Sequence, residues 1–286
     1  MEDPADLEPF TWTRVDAAYH ALLAPELGEA AGAPIHEALL GERALGLRAA
    51  RLGGFAGPAS EVSLAPLARL PALREVALSR TYLRQADIDA LADLRALAAI
   101  TLQAYGDAIQ DHLDLAPLAA LKGLRRLALV DLRARSLAPI VGLRGLRSLT
   151  IHYCADMGAL VAAPERLSLA TLRNLEALDL GGRLAPALFD VADLGRCARL
   201  RVLRWCASDE APLTSAAPLA RLRHLRRLDL ASTRLATLDG LWELPLEVLA
   251  LPASVPEAEV VAFRSAHPGC EVYGATPASA EVGVAP

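Results

Sequence analysis

The chain has 286 residues, 53% of them hydrophobic but only 4% aromatic, with 22% charged residues and a formal net charge of −5. That length suits one elongated domain or two small ones, and the core available to it is aliphatic, mostly leucine and alanine. Net acidity argues against a general nucleic-acid binder, because counterion release needs clustered excess base.

The N-terminal stretch "MEDPADLEPF" is acidic and lacks the apolar centre of a signal peptide. No stretch approaches the roughly 18 uninterrupted apolar residues of a membrane span. The expectation is a soluble cytoplasmic chain with no membrane partner. The four cysteines, Cys154, Cys197, Cys206 and Cys270, form no CxxC pair. In a cytoplasmic chain they are expected to be reduced and mostly buried as small hydrophobes.

Residues 1–43 begin with two predicted short helices, "VDAAYHALL" and "PIHEALLGE", with Asp16 and Pro34 suited to helix starts. They read as a cap over the first leucine layer of whatever follows. The alternative is a docking element anchored by Phe10 and Trp12.

From Leu67 onward one pattern returns. "LARLPALREVAL" is followed by "LADLRALAAITL", "LAALKGLRRLAL", "IVGLRGLRSLTI", "LATLRNLEALDL", "LGRCARLRVLRW", "LARLRHLRRLDL" and the shorter "LWELPLEVLAL". The closing positions are 78, 102, 129, 151, 180, 205, 230 and 251, so the period varies between 21 and 29 residues. In each closing "L-x-L" the two apolar side chains share one face and the residue between them points the other way. One such strand cannot bury its face alone, whereas parallel copies about 4.8 Å apart can. The upstream leucines, spaced by three, suit a 3₁₀ segment covering the other side.

These eight matches resemble the leucine-rich repeat family. The recurring "LAPL" (64–67 and 115–118, with "LAPI" at 137–140) is similar to its bacterial internalin-like variety. The resemblance implies an α/β fold: a right-handed leucine-rich repeat solenoid with a curved parallel sheet on the concave side and short helices, 3₁₀ turns and loops on the convex side. Strands are expected near residues 77, 101, 128, 150, 179, 204, 229 and 250. "ALGLR" at 44–48 reads as a degenerate opening turn. The predicted divisions are a helical cap at 1–43, the solenoid at 44–254, a C-terminal cap at 255–274 and a disordered tail at 275–286. Within the cap, "PEAEVVAFRSAHPGCEVYG" reads as a helix, a Pro-Gly turn and a closing strand. His267 and Cys270 straddle that turn, a spacing also open to a metal.

The chain departs from the family where an asparagine usually bonds neighbouring loops. That column here holds Thr81, Tyr105, Leu132, Cys154, Arg183, Ser208, Thr233 and Ser254. Hydroxyls can donate to a carbonyl there, and Leu132 cannot. "HYC" at 152–154 therefore reads as a surface histidine beside a structural thiol, with Cys154 turned inward and Thr150 and His152 facing concave solvent.

Outward residues carry the functional reading. The central column is Ala77, Thr101, Ala128, Thr150, Asp179, Arg204, Asp229 and Ala250. Polar groups gather from Thr150 to Asp229. They read either as a self-satisfied ladder or as a binding patch of Thr150, His152, Tyr153, Asp179, Arg204, Arg227 and Asp229. A second stripe, Arg74, Arg125, Arg147, Arg201 and Arg226, lies where the chain runs into each strand. It reads as a solvated ridge or as a surface steering an acidic partner. There is no G-x-S-x-G, H-E-x-x-H or P-loop, and no catalytic residue, metal or cofactor is expected. The resemblance implies a non-catalytic module that binds a protein partner, not nucleic acid, through its concave face. The alternative is an adaptor or inhibitor of an enzyme, docking through the N-terminal segment.

Overall fold

The computed structural model describes residues 49–54, 67, 73–80, 83–104, 112–130, 132–152, 167–181, 189–206 and 213–274. Both the predicted N-terminal helical cap and the predicted tail lie outside them. So do Tyr153 and Cys154.

Ten strands form one sheet in which each pairs, in parallel, with the next in sequence. They are β1 (Ala49–Gly54), β2 (Glu75–Arg80), β3 (Ala99–Ala104), β4 (Arg126–Val130), β5 (Ser148–His152), β6 (Ala177–Leu180), β7 (Val202–Trp205), β8 (Arg227–Asp229), β9 (Val248–Ala250) and β10 (Glu271–Tyr273). Strands β2 to β9 fall on the eight predicted centres. β1 is an addition: Ala50 and Leu52 align with Val76 and Leu78 of β2. Alanine at Ala50, where every later coil has valine, isoleucine or leucine, hides this coil from a leucine count.

Register explains why the stack holds. Val76, Ile100, Leu127, Leu149, Leu178, Leu203, Leu228 and Leu249 are consecutive partners across the sheet. All are 2% exposed or less. The second inward row runs Leu78, Leu102, Leu129, Ile151, Leu180 and Trp205. Each fully buried leucine of this kind stabilises the fold by about 1.5–3 kcal/mol. Trp205, at a leucine position, is 3% exposed, and its indole Nε1 has no hydrogen-bond partner among the described residues.

The opposite arm of each coil is short. It contains α1 (Gln85–Ala92), α2 (Ala138–Val141) and 3₁₀ turns at Ala116–Ala120, Leu169–Thr171, Val191–Arg196 and Ala217–Arg221. Prolines sit in the first turn of three of these segments, two from the "LAP" motif and the third from "AAP" at 216–218, where a missing N–H costs no intrahelical bond. The two turns without that proline begin differently. Ser168 accepts from Ala170 N and Asp190 accepts from Ala192 N, satisfying a donor that the turn leaves open. Strands stack about 4.8 Å apart, whereas helical segments need nearly twice that width. The mismatch wedges the coils and turns the sheet to the inside of the curve.

In the column where asparagine was missing, Leu132 is fully buried. Thr233 donates through Oγ1 to Leu230 O within its own turn (2.7 Å), and Ser254 donates through Oγ to Leu235 O in the preceding coil (2.6 Å). At the C-terminal end α3 (Glu257–Ala266) lies across the last coils, with Val260 and Phe263 buried. The Phe263 ring stacks on His267 at 4.1 Å and lies 5.3 Å from the Trp242 ring.

Candidate functional site

Alternation along a strand places residues 148, 150 and 152 of β5, and their partners on neighbouring strands, on the face opposite the leucine core. That face changes character along the sheet. At β2 to β4 its central column is Ala77, Thr101 and Ala128; at β5 to β8 it is Thr150, Asp179, Arg204 and Asp229. Parallel pairing in exact-neighbour register brings the charged members side by side.

The result is a continuous ladder. His152 Nε2 lies 2.7 Å from Asp179 Oδ1, Arg204 Nη1 lies 3.7 Å from the same oxygen, and Arg204 Nε lies 3.3 Å from Asp229 Oδ2. The other carboxylate oxygen of Asp229 accepts from Ala231 N at 3.0 Å. The two Arg204 ion pairs are close without being aligned as hydrogen bonds, so they act mainly as charge-to-charge attraction. Their side chains are 6% (His152), 15% (Asp179), 13% (Arg204) and 29% (Asp229) exposed. At that depth water screens them far less than a surface pair, and removing one member leaves the others poorly solvated.

His152 corrects the sequence reading. It stands on the concave side, but it does not face solvent: the residue is only 5% exposed. Gly181, its neighbour on the next coil, leaves the space. A Cβ built at Gly181 meets His152 Cδ2 at 3.2 Å, so the ring lies over the glycine backbone and its far nitrogen reaches Asp179. The signal was present in the column His152, Gly181, Cys206, where a ring borders a residue without a side chain. Thr150, Arg227 and Asp229 are partly exposed on the same face, as expected. Tyr153 lies outside the described residues.

At the other end of the concave face Arg126 reaches past Ala99 to Glu75 (3.0 Å), with both side chains well exposed. Two arginines of the second stripe reach backbone carbonyls of the turns, Arg125 in its own coil and the next, Arg226 in the next. Arg125 Nη1 donates to Lys122 O, Leu124 O and Gly145 O, and Arg226 Nη1 donates to Pro245 O.

Three cysteines are described, all as free thiols. Cys197 is fully buried, and burial, with the nearby Asp193 carboxylate, raises its thiol to about 11. Its Sγ donates weakly to Leu169 O at 3.7 Å. Cys206 sits beside the ladder. Burial raises it, Arg204 opposes that, and Asp229 and Asp179 add to it. A thiol held protonated is a poor nucleophile. Burial and Glu271 also raise Cys270. The ring nitrogens of His267 contact Phe263 O (3.1 Å) and Trp242 O (2.9 Å). They are therefore committed to the backbone rather than to a metal shared with Cys270. Among the described residues no group of three or more His, Cys, Asp or Glu side chains is placed to hold a metal ion. No described helix is long and apolar enough to cross a membrane.

One parallel strand per coil, a leucine ladder inside and short helical arms outside define a leucine-rich repeat solenoid. Among solved structures the chain is similar to an internalin from Listeria monocytogenes str. 4b F2365, with 17% identity and a TM-score of 0.49 over 76% of this chain and 67% of that one. A leucine-rich repeat protein from Leptospira interrogans is similar at 17% identity and a TM-score of 0.47, over 73% of this chain and 56% of that one. Internalin C2 from the same Listeria strain gives 20% identity and a TM-score of 0.39, over 59% of this chain and 84% of that one. No protein-family model matches the sequence, and no curated protein matches it.

Proposed function

We propose that this chain is a non-catalytic interaction module that receives a protein partner on the concave face of its sheet, over strands β5 to β8. The observation that carries the reading is the ladder His152–Asp179–Arg204–Asp229, where, among the described residues, polar and charged side chains of that face are held in fixed order on consecutive coils. Their mutual contacts fix the rotamers before any partner arrives, which lowers the ordering cost of binding. His152, Asp179 and Arg204 form the floor. Thr150, Arg227 and Asp229 offer the more accessible contacts.

Arg227 is the position for a test. It shares the outward face of β8 with Asp229, and its side chain makes no hydrogen bond or ion pair among the described residues. Arg227→Glu therefore reverses charge without dismantling the ladder. Affinity capture with the wild-type chain supplies the partner, and calorimetry then compares the two baits. Binding is expected to fall tenfold or more, about 1.4 kcal/mol, with the circular dichroism spectrum unchanged. Wild-type affinity for Arg227→Glu, together with loss of binding on changing Phe10 or Trp12, would overturn the concave-face reading in favour of an adaptor or enzyme inhibitor docking through its N-terminal segment.

A further inference from the structure

The edge of the sheet where the strands begin carries a charge opposite to that of the molecule. Besides Arg74, Arg125, Arg147, Arg201 and Arg226, the adjoining turns contribute Arg95, Lys122, Arg144, Arg173, Arg199 and Arg223. The acids on the same edge are Glu176, Glu243 and Glu247. Eleven bases against three acids give +8 on one edge of a chain whose net charge is −5, leaving −13 for the remainder. Every coil from β2 to β8 supplies at least one of these bases.

Part of this edge belongs to the fold. Arg95 donates to Ala120 O and Arg223 to Glu243 O, each stitching its coil to the next. Arg147 pairs with Glu176 at 3.9 Å and Arg226 with Glu247 at 3.4 Å. The centre is different. Lys122, Arg144, Arg173, Arg199 and Arg201, on the four coils of β4 to β7, are all exposed. None of the five side chains makes a hydrogen bond or ion pair among the described residues. Their charge is displayed without serving the solenoid.

We propose that this ridge is a second docking surface, distinct from the concave face, and that it takes an extended, Asp- and Glu-rich segment of a protein. The geometry favours an extended chain. Coils repeat about every 4.8 Å, so seven coils span roughly 29 Å, the length of about nine residues of extended polypeptide. Ten of the eleven bases are arginine, whose planar fork grips a carboxylate through two parallel N–H donors. Nucleic acid fits less well. No Phe, Tyr or Trp stands in these columns to stack a base.

The test uses the full chain and a fluorescein-labelled nona-glutamate peptide, read by anisotropy in 50 mM salt. The wild-type chain binds the peptide, and raising salt to 300 mM weakens binding, as screening requires. Arg144→Glu/Arg173→Glu/Arg199→Glu weakens it at least tenfold. Lys122→Glu/Arg201→Glu serves as an independent variant should the triple change fail to fold. Arg227→Glu, on the concave face, leaves peptide binding within twofold of wild type, so this inference and the concave-face reading fail separately. The proposal is overturned by absence of peptide binding to the folded wild-type chain or by equal binding to wild type and ridge variants. It is equally overturned if a 20-nucleotide single strand or 20-base-pair duplex binds more tightly than the peptide.

Discussion

On strands β5 to β8 the inward residues Leu149, Leu178, Leu203 and Leu228 stack like on like, while the outward residues Thr150, Asp179, Arg204 and Asp229 stack unlike on unlike. Both rows share one backbone and one register. The inward row is a translation-repeated solution in which any coil's leucine is packed by its neighbours' leucines, so each contact is interchangeable. The outward row is not interchangeable: Arg204 is tolerable at 13% side-chain exposure only because an acid stands on each side of it. Repetition therefore explains the scaffold, and the individuality of the molecule lies where repetition stops.

That contrast can be broken hardest from the inside. Leu178→Ala, at a fully buried position of β6, is expected to destabilise the chain by about 2–5 kcal/mol, the cost of lost burial plus a cavity. Urea titration reads it, and a loss below about 1 kcal/mol would mean that neighbouring coils collapse into the gap.

The next effect belongs to the ladder. Arg204→Ala leaves Asp179 and Asp229 without their shared cation. The expected cost is about 2 kcal/mol, between the values for exposed and buried pairs. Arg126→Ala is the matched control. It breaks a pair of shorter distance, 3.0 Å, but with side chains 49% and 37% exposed, and it should cost no more than about 0.5 kcal/mol. Equal losses at the two positions would show that burial does not set the strength of this ladder.

Gly181→Ala probes how tightly the histidine is seated. The new methyl meets His152 Cδ2 at 3.2 Å, so the ring must move by a few tenths of an ångström. A loss of about 1 kcal/mol is expected, and His152→Ala in the same background should remove the penalty. A penalty that persists without the ring would place its origin elsewhere.

The smallest effect at neutral pH concerns Cys197. Its thiol titrates at about 11 in the folded chain against 9.0 for an ordinary cysteine. The folded state thus holds the proton more tightly than the unfolded one. The associated stability is complete below pH 9 and is lost as pH rises from about 9 to 11. Relative to Cys197→Ala, the wild-type chain should lose stability across that window and show no difference in slope at pH 6 to 8. Iodoacetamide should leave Cys197 unmodified in the native chain at pH 8, and rapid native labelling would contradict its burial.

Strands β2 to β9 were legible in the sequence because the closing "L-x-L" of each coil reports both strand position and inward face, and because parallel stacking demands the same phase in every coil. The cap helix and β10 were legible from "PEAEVVAF" and "CEVY". β1 escaped because Ala50 carries too little side chain to register in a leucine pattern, although its backbone pairs with β2 as any other strand does. The partners Asp179, Arg204 and Asp229 could be placed side by side from the sequence, since a common register makes columns into neighbours.

What the sequence alone could not determine was depth. A column gives the side of the sheet on which a residue stands, and that is a property of backbone alternation. Whether the residue meets water depends on the volumes of its neighbours one coil away, and His152 is buried because Gly181 vacates the space and Asp179 draws the ring across it. The same holds for the arginines. Their columns follow from the repeat, but only the folded coils decide that Arg95 and Arg223 are spent on turn carbonyls while Arg144, Arg173 and Arg199 stand exposed. The sequence by itself determined the repeat, its period and its faces, because these follow from local alternation. The tertiary structure decided which charges are held among neighbours and which are displayed, because that depends on side chains that only stacking brings together.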